Sequence, residues 1–388
     1  MGAPFEPGAT RSFSSHELRT RASGFDQKFV ALRPSGHPES RHAIYMDTPD
    51  NLDIEQGEAL LRYLRGTGRL APAESPRFAI LRGGISNRTV LVERTDNPAF
   101  VVKQALPKLR VATDWPSDPS RIRLEALGLT WLSRLAPPGS IPSLLFEDAR
   151  HHLLAMQAVP QPHENWKARL LAGGLEMEHV GQFGKLLGTI HHRSVEQAGE
   201  LSKVFADRTF FESLRIDPYY RYTASCQPAA AKFFADLLAD TASNRLALVH
   251  GDYSPKNILI YQGRFVLLDH EVIHWGDPAF DIGFSLTHLL SKANHLPAQR
   301  AAFLDAARLY WQTYRSAVRP LLLTPALEAR AVRHTLGCLL ARVDGRSPLE
   351  YLSSAEQHRQ RTLALTLMRS PPATISTLID SYQKALDP

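Results

Sequence analysis

The chain is poor in cysteine and has no long apolar run. Only Cys226 and Cys338 occur among 388 residues, far apart and in no Cys-x-x-Cys or Cys/His spacing. That argues against a disulfide framework or a structural zinc site and suits the reducing cytoplasm. No stretch of 18 apolar residues is present, so no membrane span is expected. Residues 1–24 lack an apolar signal-peptide core, and Glu6 stands where myristoylation needs Ser or Thr. Internal repeats, low-complexity tracts and runs of five or six basic residues are also missing. The net charge of +6 therefore reads as a mildly basic surface that attracts anionic nucleotides, and no nucleic-acid partner is expected.

What the chain does have is length and ordinary apolar content, 44%, enough for a sizeable core split over two lobes. Residues 1–45 mix Gly, Pro, Ser and Arg without periodicity and read as a disordered arm. The pattern then predicts an N-terminal lobe over 46–158 and a C-terminal lobe over 159–388. In the first, a helix between Asn51 and Leu70, capped at Asp50 or Asn51, precedes strands at 78–81, 89–93 and 100–104. A helix over 121–135 and a strand at 153–158 follow. The second is mostly helical (176–192, 229–243 and 298–318), interrupted by short strands and loops over 246–275.

That interruption carries the chemistry. His250-Gly251-Asp252-Tyr253-Ser254-Pro255-Lys256-Asn257 has the His-x-Asp-x4-Asn spacing of a kinase catalytic loop, set between two apolar strands. Asp269 stands twelve positions after Asn257, room for one hairpin that returns it to Asn257. Phosphoryl transfer needs a carboxylate to orient a hydroxyl and hard oxygen ligands for Mg²⁺. Asp252 is the candidate base, Asn257 and Asp269 the candidate metal ligands. Glu271, on the same side of an extended segment, is a candidate for a second ion.

These residues, with Gly276-Asp277-Pro278-Ala279-Phe280-Asp281-Ile282-Gly283, resemble the aminoglycoside phosphotransferase/choline kinase superfamily. The resemblance implies a bilobal protein-kinase-like α+β fold, a small antiparallel-sheet lobe and a mainly helical lobe, with ATP and Mg²⁺ between them. It implies that Asp281 braces the catalytic loop, helix capping by Asp277 or Asp281 being a compatible alternative. It assigns Lys103 to the ATP phosphates with Glu125 as ion-pair partner, against a solvated face formed with Arg121 and Arg123. Gly83, Gly84 and Ser86 would form the turn over the phosphates, although no full G-x-G-x-x-G is present. Met156 and Ala158 would present backbone groups to adenine.

Val101–Arg110, Asp114-Trp115-Pro116, Arg121–Leu127 and His163–Trp166 are similar to methylthioribose kinases. The chain departs from that branch in carrying Asn257 and His270. By the same resemblance Arg342, and secondarily Arg346, would face substrate; the alternative is a surface loop with solvated arginines. Arg215–Tyr220 reads as a packed Asp-Pro turn, the alternative being a turn whose aromatics line a pocket, and His191 as a core or helix-end histidine rather than a metal ligand.

The expectation is a cytoplasmic small-molecule kinase, monomeric or homodimeric, acting on a hydroxyl of a sugar-like compound or amino alcohol. The alternatives are a nucleotide-binding pseudokinase and an aminoglycoside kinase. The latter is disfavoured because residues 273–388 hold 13 Lys and Arg against 9 Asp and Glu.

Overall fold

The computed structural model describes residues 52–82, 84–111, 114–318 and 320–386. The expected arm, the cap at Asp50 or Asn51 and Gly83 lie outside the described residues. After helix α1 (Gly57–Gly66) come strands β1 (Arg77–Ile80), β2 (Asn87–Glu93) and β3 (Phe100–Ala105), helix α2 (Arg121–Leu135), and strands β4 (Leu144–Asp148) and β5 (Leu153–Gln157). Among the described residues these strands form one antiparallel sheet in the order β1-β2-β3-β5-β4. The sequence reading missed β4. Its alternation of half-buried and exposed residues marks an edge strand, whose apolar pattern is diluted by Glu147 and Asp148.

β3 is buried along its whole length because alternate side chains meet different cores. Val102 joins Leu60 and Leu64 of α1 on one face. Val101 joins Ile122, Leu129 and Leu132 of α2 on the other. Lys103 is carried into the second face by a strand that has both sides covered.

The helical part begins after β6 (His163–Asn165) and contains α3 (Met177–Glu196). A π-helical segment, Glu212–Arg221, follows where a turn was expected. Pro218 inside it has no N–H to donate, and the widened turn carries Arg215 and Tyr219 into the cleft described below. β7 (Ala247–Val249), β8 (Ile258–Tyr261), β9 (Arg264–Leu267) and β10 (His274–Gly276) then surround the catalytic-loop sequence. β7 pairs with β10, and β8 with β6 and β9. Helices α4 (Ala279–His295), α5 (Arg300–Ala317) and α6 (Pro325–Asp344) complete the support. The fold class read from the sequence, an antiparallel sheet followed by a mainly helical part, is the one observed. No helix among the described residues is long and apolar enough to cross a membrane.

α4 is buried on every side from Ala279 to Asn294. At Gly283 an added Cβ would lie 2.5 Å from the His334 Cβ and 2.7 Å from the Thr335 backbone N, so glycine sets the α4–α6 separation. Gly283→Ala is expected to lower stability by about 1–3 kcal/mol through overpacking, read from urea unfolding. Lys292, also on α4, is fully buried, and its pKa is pushed down to about 7 by burial and then by Lys167 and Arg342. Between that value and the ordinary lysine range the unfolded chain binds more protons than the folded one, so native stability rises with pH there. Lys292→Met should be more stable than the native chain at pH 7, with the advantage shrinking at pH 9.5. Equal advantages at the two pH values would contradict it.

Candidate active site

The His250–Asn257 loop leaves β7 on a glycine that only glycine suits. Gly251 has φ +76°, and a Cβ there would sit 2.9 Å from Val272 Cγ2 and 3.0 Å from its carbonyl oxygen. The carboxylate of Asp281, in the first turn of α4, accepts from the backbone N–H of His250 (2.7 Å) and of Gly251 (2.8 Å). It lies 3.3 Å from His191 Nε2, whose Nδ1 meets the Tyr314 hydroxyl. Asp277 caps α4 by accepting from the Ala279 N–H and pairs with Arg330. Both readings of this pair thus hold, one carboxylate for each. His250 Nδ1 accepts from the Asp252 N–H (3.2 Å), so its Nε2–H donates to His270 Nδ1 (3.1 Å). Burial keeps both rings neutral by drawing their pKa values down.

Asp252 is 1% exposed, and its two oxygens have different surroundings. Oδ2 receives the Arg215 guanidinium (2.9 Å), the Lys256 ammonium (2.8 Å) and Asn257 Nδ2 (2.8 Å). Oδ1 is buried with no hydrogen-bond partner among the described residues. Burial pushes this carboxyl up, and Arg215 and Lys256 more than offset it, leaving the pKa below the ordinary aspartate value. Asn257 has spent its amide N–H groups on Asp252, so the side-chain oxygen is the atom left to ligate. The β8–β9 hairpin returns the chain as expected, the Leu268 N–H donating to the Asn257 carbonyl at 2.8 Å.

Lys103 lies between Glu125 (2.5 Å) and Asp269 (3.0 Å). Burial works against its charge, but Asp269, Glu125 and Glu271 reverse that and hold it above the usual lysine range. Burial raises Glu125 in spite of Lys103. The same opposition ends the other way at Asp269, where Lys103 and Lys256 override burial and keep the carboxylate ionised. Glu125, Asp269 and Glu271 offer carboxylate oxygens that all lie within 4.8 Å of one another.

Arg121 is buried, not part of a solvated face. It binds Glu271 (3.1 Å) and the carbonyls of Leu106 (3.0 Å) and Ser86. Asn87 Nδ2 also reaches Glu271 (3.3 Å), so the turn holding Gly84 and Ser86 is tied to α2 and to the segment after β9.

Lys103, Arg215, Lys256, Asn257, Asp269 and Glu271 face a cleft of about 1030 Å³, while Asp252 and Glu125 are buried and do not line it. Gly84, Ser86, Lys103, Met156, Ala158, Asn257, Asp269, Glu271 and Arg342 line it. Arg346 does not: it is exposed, stacks on Tyr222, and lines a separate small pocket. Arg342 is buried at the end of α6 rather than on a surface loop. The sequence reading named no role for Arg215 and Lys256. Lys256 stands inside the quoted loop motif, four positions after Asp252 and on the same side of it. Arg215 carried no sequence signal, because its tie to Asp252 depends on the π-helical segment.

Among curated proteins, the chain is 27% identical over 248 residues to the methylthioribose kinase of Pectobacterium atrosepticum, 55% of this chain and 62% of that protein. It is 27% identical over 297 residues to that of Erwinia tasmaniensis, 63% and 73%. The chain thus spans less than two thirds of the length of the first of these relatives. Among solved structures, an amicoumacin kinase in complex with AMP-PNP, Ca²⁺ and Ami superposes with a TM-score of 0.52 at 14% identity, over 82% of this chain and 95% of that one. That likeness bears on the fold, a kinase-like one. The family model described as "Phosphotransferase enzyme family" matches residues 77–321, a span that takes in every element from β1 to α5. The chain belongs to the phosphotransferase enzyme family.

Proposed function

We propose that the protein is a small-molecule kinase that moves the γ-phosphate of ATP to an acceptor hydroxyl, with Mg²⁺, in the cytoplasm. The observation that carries this reading is the divided environment of Asp252. One carboxylate oxygen is held by three donors, and the other is buried, unsatisfied and free to accept from a hydroxyl. An unpaired buried carboxylate oxygen is costly and is retained where a ligand completes it.

The donor set fits a hard divalent cation. Asp269 is ionised, the Asn257 amide oxygen is uncommitted, and Glu271 is fixed through one oxygen by Arg121 and Asn87. Asp269 and Asn257 would hold the ion, with Glu271 available to a second. When bound it supplies charge neutralisation on the phosphates.

The chain's own residues do the rest by position and charge. Lys103, kept protonated, takes up negative charge on the nucleotide phosphates. The Gly84–Ser86 turn, tethered to Arg121, covers them, and the backbone of Met156 and Ala158 at the end of β5 would receive the adenine. Asp252 Oδ1 accepts the acceptor's hydroxyl proton. The new O–P bond forms on that hydroxyl oxygen as the bond from the γ-phosphorus to the β,γ-bridging oxygen breaks, giving ADP and a phosphate ester. The lowered pKa of Asp252 makes it a weak base, so it orients the hydroxyl and takes the proton late. Arg215 and Lys256 are positioning residues that fix Asp252.

Asp252→Asn is expected to cut turnover by at least about 10²-fold while leaving Mg·AMP-PNP binding nearly intact. Unchanged turnover would remove Asp252 from this role. Lys103→Ala is expected to lower kcat/KM for ATP by about ten- to a hundredfold, the loss of a charge-assisted contact. Wild-type ATP dependence in that variant would remove Lys103 from the phosphate site. Both are read as ADP release across a panel of methylthioribose, free sugars, choline and aminoglycosides.

A further inference from the structure

The cleft that Arg215, Lys256 and Asn257 line is also lined by Tyr219, His288, Arg342 and Ser347. Arg342 is 6% exposed, and its guanidinium finds no carboxylate among the described residues. Nη1 donates to the Ser347 carbonyl (2.8 Å) and hydroxyl (3.0 Å), and Nη2 lies 3.4 Å from His288 Nε2. Nε is buried with no partner among the described residues. The group sits against the rings of Tyr219 (5.1 Å) and Phe284 (5.4 Å), which pack on each other. A buried guanidinium left without an anion is costly, and a fixed planar fork suits a carboxylate or phosphate.

Its surroundings add positive charge. His288 is drawn well below the ordinary imidazole range by burial and then by Arg342, Lys292, Lys256 and Lys167. Behind it, Lys292 Nζ donates to the His288 carbonyl (3.3 Å) and sits 5.5 Å from the Tyr351 ring centre. The acidic group at this end is Glu350, already paired with Lys167. Arg215 and Lys256 are engaged by Asp252, and Arg342 is a buried cation of the cleft with no carboxylate paired to it among the described residues. A cationic acceptor would meet repulsion here.

We infer that the acceptor is an anion whose carboxylate or phosphate docks on Arg342 beside His288 while its hydroxyl reaches Asp252. This rests on the kinase reading and names the acceptor class. A hydroxy acid and a phosphorylated sugar or polyol share the required chemistry, a hydroxyl and a fixed negative group on one small molecule.

Matched pairs test it: glycerate against glycerol, gluconate against glucose, and glucose 6-phosphate against glucose. Each is measured for binding to the Mg·AMP-PNP-loaded protein by calorimetry and for ADP release with ATP. The anionic member of at least one pair is expected to bind about ten- to a hundredfold more tightly than its neutral partner. The carboxylate and phosphate arms separate the two sources. Arg342→Gln should weaken the anionic member at least about tenfold more than the neutral one, and Arg342→Lys should restore part of the difference. Loss of fold by Arg342→Gln would show as a lowered melting temperature and lost AMP-PNP binding, and the Lys variant then carries the comparison. Equal binding within every pair, or a preference for choline or an aminoglycoside, with AMP-PNP binding intact, overturns the anionic acceptor. Absent AMP-PNP binding would instead overturn the kinase reading.

Discussion

The carboxylate of Asp281 is the contact on which the rest of the site depends. Its two oxygens take the backbone N–H groups of His250 and Gly251, donors that would otherwise be buried and unpaired. Through His191 and Tyr314 it also connects α3 and α5 to the base of α4. The loop carrying Asp252 and Asn257 is thereby fixed to three packed helices rather than to a strand end alone. Gly251 makes the arrangement possible, since its positive φ turns both N–H groups onto one carboxylate. Rigidity in the supporting groups is what lets a few charges act by position.

Charge is distributed along the cleft in alternation. Lys103 separates Glu125 from Asp269, Lys256 lies near both Asp269 and Asp252, and Arg215 completes Asp252. Each carboxylate in the row has an ammonium or guanidinium neighbour, which outweighs burial at Asp252 and Asp269 but not at Glu125. Besides Glu125 Oε2, two buried charged positions at the cleft lack a partner among the described residues: Asp252 Oδ1, with no donor, and Arg342, with no acid. An acceptor carrying a hydroxyl and a negative group would complete both, which is why the unsatisfied positions inform the substrate more than the satisfied ones do.

Much of this was legible in the chain because the relevant signals are local. The spacing from His250 to Asn257, the hairpin back to Asp269 and the β3 position of Lys103 all sit within single supersecondary units, where sequence distance and spatial distance agree. The α2 helix over 121–135 was readable for the same reason. What escaped was tertiary. Arg121 looked like part of a charged surface, yet the carbonyls of Ser86 and Leu106 and the carboxylate of Glu271 bury it. Arg215 sits in a run that reads as a turn and becomes π-helical only against the packed core. Arg342 and Arg346 look interchangeable four residues apart, but α6 ends between them, after Asp344. The helix keeps one in the cleft and releases the other to solvent.

The full enclosure of α4 has a consequence for how the protein loses activity. Amides of a helix with no solvent-facing side exchange with water only when the surrounding structure opens as a whole, so such a helix belongs to the last cooperative unit to unfold. Because the catalytic loop hangs from its first turn through Asp281, partial opening elsewhere, at the sheet edge for example, leaves the loop's geometry in place. Heat or denaturant should therefore switch the chemistry off in step with global unfolding, without an early phase in which the fold persists and the loop has already come apart.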